Sequence, residues 1–322
     1  MTGEFDLIAR IRARAGTRDD VVLGIGDDAA ILRVPAGHDL VVSTDTLNSG
    51  IHFPPETAPF DIGWKSLAVN LSDLAAMGAQ PAWCTLNLTM PDANVEWLDA
   101  FLDGFSALAT QNAVALVGGD TTRGPLSITV TVHGFVPHGM ALQRSGAQVD
   151  DEVWVSGTLG DAAAALQQWR MGQLIDSELR KRLDRPSPRV ALGLALRGIV
   201  NACIDVSDGL LADLSHVLTA SQVGAEVDCA AVPTSSALRA AFDETTRMAL
   251  QLGGGDDYEL CFSVPAKRAT DVLAAGAKTG IAITRIGRIE AQSGLRIREV
   301  DGVVRDASMR GYRHFDSSSA NG

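Results

Sequence analysis

Two stretches of strict alternation constrain the fold of this chain more than anything else in it. Cys84, Leu86, Leu88 and Met90 alternate with Thr85, Asn87 and Thr89; Leu126, Ile128, Val130 and Val132 alternate with Ser127, Thr129, Thr131 and His133. A period of two is a strand with one buried face. Strands of all-parallel sheets are buried on both faces and read as continuous apolar runs, so these two belong to an antiparallel or mixed sheet. Between them, Trp97, Phe101, Leu102 and Phe105 mark a helix over about 94–111.

A longer helix precedes them, over about 59–77. Trp64, Leu67, Ala68, Leu71, Leu74 and Ala75 form its apolar stripe, and Ser66, Asn70 and Asp73 fall on another face. Ala75, Ala76 and Gly78 are small enough for a second backbone to come close, and Gly78 suits the helix end. Residues 4–15 read as a short amphipathic helix. Short strands follow at Val21–Gly24, Ile31–Val34 and Leu40–Val42, the last ending in Ser43-Thr44-Asp45-Thr46. Gly24-Ile25-Gly26-Asp27-Asp28-Ala29 matches a loose dinucleotide pattern, but a crossover helix has to follow it. Pro35 and Gly37 break the segment that would have to be that helix, so the dinucleotide reading is rejected. A strand at 113–117 then runs into the glycine turn Gly118-Gly119-Asp120-Thr121-Thr122-Arg123-Gly124.

Residues 137–151 read as a boundary. Beyond it come the strand Val153–Gly157, helices over about 162–169 and 189–198, and the strand end Cys203-Ile204-Asp205-Val206-Ser207-Asp208-Gly209 leading into a helix. Gly253-Gly254-Gly255-Asp256-Asp257 precedes an apolar strand. The expected architecture is α+β in two domains: residues 1–137 around the mixed or antiparallel sheet, residues 138–316, and a disordered tail at 317–322.

The net charge of −12 argues against a general nucleic-acid surface, which needs clustered Lys and Arg. The four cysteines form no C-x-x-C pair and sit in or beside apolar runs, as buried free thiols do. No signal peptide or long apolar span is visible, which points to the cytoplasm and no membrane partner. Strand-end or turn aspartates recur at 27, 28, 45, 73, 120, 205, 208, 256 and 257. Each alone is either a turn residue or a ligand. Together with hydroxyls, and with the histidines scattered, they describe an oxygen-rich site for Mg²⁺, Mn²⁺ or Ca²⁺ rather than zinc. Mg²⁺ shares its coordination with phosphates, and glycine turns offer N–H groups to phosphate oxygens, so nucleotide phosphate chemistry follows. No Walker or protein-kinase motif is present, which leaves neutralisation of phosphate charge to metal ions.

The combination of Gly26-Asp27-Asp28-Ala29, Ser43-Thr44-Asp45-Thr46, Asn70-Leu71-Ser72-Asp73-Leu74-Ala75-Ala76-Met77-Gly78, Gly118-Gly119-Asp120-Thr121-Thr122, Ile204-Asp205-Val206-Ser207-Asp208-Gly209-Leu210 and Asp257-Tyr258-Glu259-Leu260 resembles the bacterial thiamine-monophosphate kinases, of the aminoimidazole-ribonucleotide-synthetase-like superfamily. The likeness runs from Gly3 to Tyr312. It implies ATP-dependent phosphorylation of thiamine monophosphate by direct in-line transfer, in a homodimer whose N-terminal sheets pair into a barrel with a C-terminal α+β domain beside each. By that resemblance Asp28, Ser43, Thr44, Asp45, Asp73, Asp120, Asp205 and Asp208 bind Mg²⁺, with Asp73, Asp120 and Asp208 carrying the catalysis. Gly119, Asp120, Arg144 and Ser207 meet ATP. His52, Tyr312 and Asp256, where the family usually has glutamate, meet the thiamine substrate. Two other readings stand beside it: another ATP-using synthetase of the superfamily, and a non-catalytic dimer that binds divalent ions or nucleotide.

Overall fold

The computed structural model describes residues 4–307. Tyr312 and the tail at 317–322 lie outside them. The chain divides into two compact units, one holding residues up to Leu142 together with Asp184–Arg197, the other Gln143–Leu183 and the chain from Gly198 onward. Each is a mixture of sheet and helix. Among the described residues no helix is long and apolar enough to cross a membrane.

The first unit runs α1 (Glu4–Arg14), β1 (Val21–Leu23), β2 (Ile31–Leu32), β3 (His38–Asn48), α2 (Pro59–Ala76), β4 (Gln80–Met90), α3 (Val95–Gln111), β5 (Ala115–Arg123) and β6 (Ser127–Pro137). Its sheet has the order β3-β6-β4-β5, with only β4 and β5 parallel. The mixed sheet is the one that the alternation demands. Cys84, Leu86, Leu88, Met90, Ile128, Val130 and Val132 are buried on one face. On the other face Thr44 meets Thr131 at 3.0 Å and Thr46 meets Thr129 at 2.8 Å.

Helix α2 starts on Pro59, whose fixed φ suits a first turn, and packs on α3, β3 and β6. It crosses α3 backbone to backbone. A Cβ on Gly63 would sit 2.0 Å from Phe101 O, and one on Gly104 would sit 1.9 Å from Phe60 O. Two strands are longer than the sequence reading has them. β3 continues through Ser43–Asn48, because β-branched threonines pair across to β6. β5 continues through the expected glycine turn: Gly118 and Gly119 pair with Thr85 and Leu86 of β4. Gly119 is there for the sheet itself, since its φ is +150° and a Cβ would lie 1.9 Å from Leu86 O.

The second unit contains β7 (Asp151–Ser156), α4 (Asp161–Arg170) and α5 (Ser177–Asp184). After α6 (Val190–Leu196), which belongs to the first unit, come β8 (Ala202–Val206), α7 (Leu210–Ser221), β9 (Gly224–Asp228), α8 (Ser236–Ala241), α9 (Glu244–Gly253), β10 (Glu259–Pro265), α10 (Ala269–Thr279), β11 (Ile283–Glu290), β12 (Gly294–Arg298) and β13 (Val304–Asp306). The sheet order is β13-β12-β9-β11-β7-β10-β8, and β9–β12 is the parallel pair. Val153, Val155, Ile204, Val206, Leu210 and Leu214 form the heart of its core. All four cysteines are free and buried, and burial pushes the Cys261 thiol up to about 12.

Candidate functional site

In the first unit, β3 lies along the polar face of α2 and brings three candidate residues together. The Ser43 hydroxyl donates to Asp73 Oδ2 at 2.5 Å. The Asp45 N–H donates to Asn70 Oδ1 at 3.0 Å, and Asn70 Nδ2 donates to Ser66 O, which fixes the amide's orientation. Ser43 and Asp45, two residues apart on a strand, share a face. Thr44 alternates to the opposite face, where its hydroxyl donates to Val130 O at 3.2 Å. Its side chain is therefore not aimed with Ser43 and Asp45, and only its main chain remains for a ligand there.

Asp28 stands in an exposed turn where its N–H donates to Asp27 Oδ1 at 2.8 Å. Asp27 thus shapes the turn. Asp120 is exposed on β5, opposite Asn87 of β4, and accepts the Thr121 N–H at 2.9 Å. His52 sits in the loop after β3. Its Nδ1 accepts the Asn48 N–H at 2.9 Å, so that nitrogen is unprotonated and Nε2–H is the ring's donor. The Nζ of Lys65, on α2 and 1% exposed, donates to His52 O at 3.0 Å. A buried ammonium is costly unless hydrogen-bonded, and here it ties the His52 loop to α2. The sequence reading missed Lys65 because it lies inside an apolar helical pattern.

In the second unit, β8 carries Asp205, buried within the sheet opposite Leu260, and ends in Ser207 and Asp208, both half-exposed. The segment 254–258 closes on that strand end: the Asp256 N–H donates to Ser207 O and the Tyr258 N–H to Val206 O, each at 2.8 Å. The space that Gly255 leaves is taken by Ser207 O, 2.4 Å from where its Cβ would be. These glycines serve the chain's own close packing. Asp256 and Tyr258 have φ of +66° and +51°, and the Tyr258 hydroxyl donates to Asp256 Oδ1 at 2.8 Å. Asp tolerates the left-handed region better than Glu, which gives a backbone reason for the shorter acid here. A bulky residue at positive φ stores strain of about 1–3 kcal/mol and marks a segment held for a purpose.

Arg144 is exposed, and its neighbour Gln143 accepts the N–H of Cys203 on β8. The run Asp257-Tyr258-Glu259 is scaffold. Both oxygens of Asp257 accept the Gly160 N–H, at 2.9 and 3.0 Å. Glu259 accepts from Ser156 at 2.5 Å and Arg182 at 2.8 Å. Burial pushes the Asp257 carboxyl well above the usual carboxylate range, against the pull of Arg182. Burial also works against the charge on Arg182, but Glu259, Asp257 and Asp161 outweigh it and leave its pKa raised. Asp213, in α7, receives three N–H groups from the 207–209 loop. Burial lifts its carboxyl to about 7, with those N–H groups pulling it down.

In each unit the candidate donors are of the kind a hard cation takes, carboxylate and hydroxyl oxygens: Asp28 and Asp120 exposed and Asp45 and Asp73 half-exposed in the first, Asp208 half-exposed in the second. Among the described residues no three His, Cys, Asp or Glu side chains gather closely enough to hold a metal ion by themselves. Mg²⁺ in general takes one or two carboxylates and completes its shell with water and phosphate.

Residues 26–136 match the family AIR synthase related protein, N-terminal domain, and residues 148–299 its C-terminal domain. The thiamine-monophosphate kinase of Escherichia coli (strain K12) is 48% identical over 322 residues, covering 97% of this chain and 98% of its own. The crystal structure of thiamine-monophosphate kinase from Stenotrophomonas maltophilia K279a is 54% identical with a TM-score of 0.87, over 93% of this chain and 97% of that one. The structure of AaThiL complexed with AMPPCP and TMP is 31% identical with a TM-score of 0.78, over 97% of each chain.

Proposed function

The chain belongs to the thiamine-monophosphate kinase family of AIR synthase related proteins, and on that premise we propose that it transfers the γ-phosphoryl of ATP to thiamine monophosphate, giving thiamine diphosphate and ADP in the cytoplasm. The observation that carries the reading is full-length likeness to a structure holding an ATP analogue and TMP, AaThiL, joined to an oxygen-rich donor set in both units. The acceptor phosphate is already ionised at neutral pH, so no protein nucleophile is required and positioning supplies much of the rate. Asp28, Ser43, Asp45, Asp73 and Asp120, with Asp205 and Asp208, would hold Mg²⁺, Thr44 adding its main-chain carbonyl. Bound Mg²⁺ neutralises charge on the transferring phosphoryl group. Asp73 keeps its carboxylate aimed through the Ser43 hydroxyl. His52 would meet thiamine monophosphate, with Lys65 fixing its loop. Gly119, Asp120, Arg144 and Ser207 serve the nucleotide, and Asp256 and Tyr312 the thiamine moiety. Measuring ADP release with and without thiamine monophosphate tests the whole reading. Release that ignores thiamine monophosphate, or none at all, rejects it.

Asp256 gives a sharper outcome. Thiamine carries a cationic thiazolium ring and an aminopyrimidine, and a carboxylate can attract the one or accept a hydrogen bond from the other. Asp256→Ala should raise KM for thiamine monophosphate at least about tenfold with KM for ATP little changed, the signature of lost contact with one substrate. Asp256→Glu should keep most of the activity. Equal damage to both KM values would make Asp256 part of the turn rather than of the pocket.

The homodimer rests on the first unit's surface. Val22, Ile31, Leu40 and Val42 are exposed on β1, β2 and β3, and β3 is an edge strand of its sheet. Open edges and clustered apolar side chains call for cover, and pairing of two such sheets into a barrel supplies it. Sedimentation should give a species of twice the 33.8 kDa chain mass. An active monomer at nanomolar concentration would refute the pairing.

A further inference from the structure

The loop bearing Ser207 and Asp208 already holds a carboxylate of its own. The N–H groups of Ser207, Asp208 and Gly209 converge on Asp213 Oδ2 at 3.0, 3.0 and 3.1 Å. Asp213 lies in the first turn of α7 and is 3% exposed. Successive N–H groups at the start of a helix make a concavity for an anion, and in phosphate-binding loops that anion is the ligand. Here Gly209, the N-cap, has no side chain to cap with, and Asp213 reaches back from within the helix to fill the concavity. The carbonyl side of the same loop is held independently by the Asp256 N–H on Ser207 O and the Tyr258 N–H on Val206 O. With both sides tied, the directions in which Ser207 and Asp208 project are determined.

We propose that Asp213 is a positioning residue for phosphoryl transfer: as a built-in substitute for a phosphate, it fixes the Ser207–Gly209 loop and keeps that loop's N–H groups from the nucleotide, whose charge is then met by the cations that Asp205 and Asp208 hold. The inference rests on the assignment of Ser207 and Asp208 to nucleotide and Mg²⁺. It makes Asp213 a residue that touches only backbone and acts through its neighbours. It also explains why a glycine turn entering a helix, a feature that usually advertises phosphate binding, stands beside two acidic ligands.

Removing the carboxylate opens the concavity, and formate is the fragment that refills it. In alkaline buffer Asp213→Ala should lower kcat about 10–100-fold, the usual cost of losing a partner behind a metal ligand, and raise the Mg²⁺ concentration needed for half-maximal rate. Formate should restore part of kcat, where chloride at equal ionic strength does not. Formate should also raise the melting temperature of Asp213→Ala and leave that of the parent unchanged. A parental kcat in Asp213→Ala, or a folded but slow variant whose kcat and melting temperature ignore formate, overturns the proposal. If Asp213→Ala fails to fold, Asp213→Asn keeps the shape with a weaker acceptor. A raised Mg²⁺ requirement in it supports the proposal, and parental kinetics overturn it. If the parent itself releases no ADP with thiamine monophosphate, the functional assignment fails, and the formate-dependent melting shift alone decides whether Asp213 fills the concavity.

Discussion

Asp73→Asn should lower turnover at saturating ATP by roughly a hundredfold or more and leave the fold standing. The size follows from the charge removed. A metal-held carboxylate supports several kcal/mol of charge stabilisation on a transferring phosphoryl group, and each 1.4 kcal/mol is a factor of ten. The survival of the fold follows from the packing. Asn has the shape of Asp, Asp73 is half-exposed, and the Ser43 hydroxyl can still donate to the amide oxygen. The neighbouring Asn70–Asp45 hydrogen bond does not involve the substituted group. Circular dichroism and a melting curve close to the parent's, alongside ADP release cut at ordinary Mg²⁺, are the expected pair of results. Excess Mg²⁺ should recover some of the rate. Near-normal turnover at ordinary Mg²⁺ would make Asp73 a partner of Ser43 and nothing more.

Much of the first unit is legible in the sequence because its periodicities are pure. Strict alternation at 84–90 and 126–133 predicts one-faced strands, and the apolar stripes at 59–77 and 94–111 predict α2 and α3 nearly to their ends. The errors share one cause. Residues 43–46 and 118–123 read as turns from their Ser, Thr, Asp and Gly, yet both are strand. Cross-strand partners decide this: Thr44 and Thr46 pair with Thr131 and Thr129, and Gly119 fits where Leu86 O comes too close for any side chain. No local pattern contains that information. Helix α5 goes unread for the opposite reason. Only Leu179 and Leu183 mark its buried side among charged residues, and both enter a core formed by distant alanines and Leu238.

The candidate residues divide the same way. Carboxylates at strand ends and glycine turns stand out in the sequence as candidate ligands. Residues that hold the surrounding loops and backbone do not, since Lys65, Arg182 and Asp213 act through backbone atoms or through residues far away in the chain. Asp213 left a faint mark, a third carboxylate spaced after Asp205, Asp208 and the helix-starting Gly209. The spacing is that of one helical turn, which is how its side chain returns to the loop.

Arg182→Met should cost about 3–5 kcal/mol of stability, because it leaves Glu259, 0% exposed, without its cation. Ser156 would still donate to Glu259, but one hydroxyl does not replace a guanidinium 2.8 Å away. The loss should show as a melting temperature lower by roughly 10 °C for units of this size. Adding Glu259→Gln removes the orphaned charge, so the double variant should be more stable than Arg182→Met alone, with the two changes far from additive. The effect should also depend on pH with a definite sign. Asp257 has its pKa raised by burial, and Arg182 is the first of the groups that hold it down. Without Arg182 the folded chain keeps that proton to still higher pH, while the unfolded chain releases it near 4. Through the window between those two values the folded state binds more protons, so stability falls as pH rises. Arg182→Met should therefore be more stable near pH 5 than near pH 8, and its decline should run to a higher pH than the parent's. Guanidinium melts of the parent, both single variants and the double variant at the two pH values measure every term. Simple additivity with no pH dependence would reduce the Arg182 network to ordinary packing.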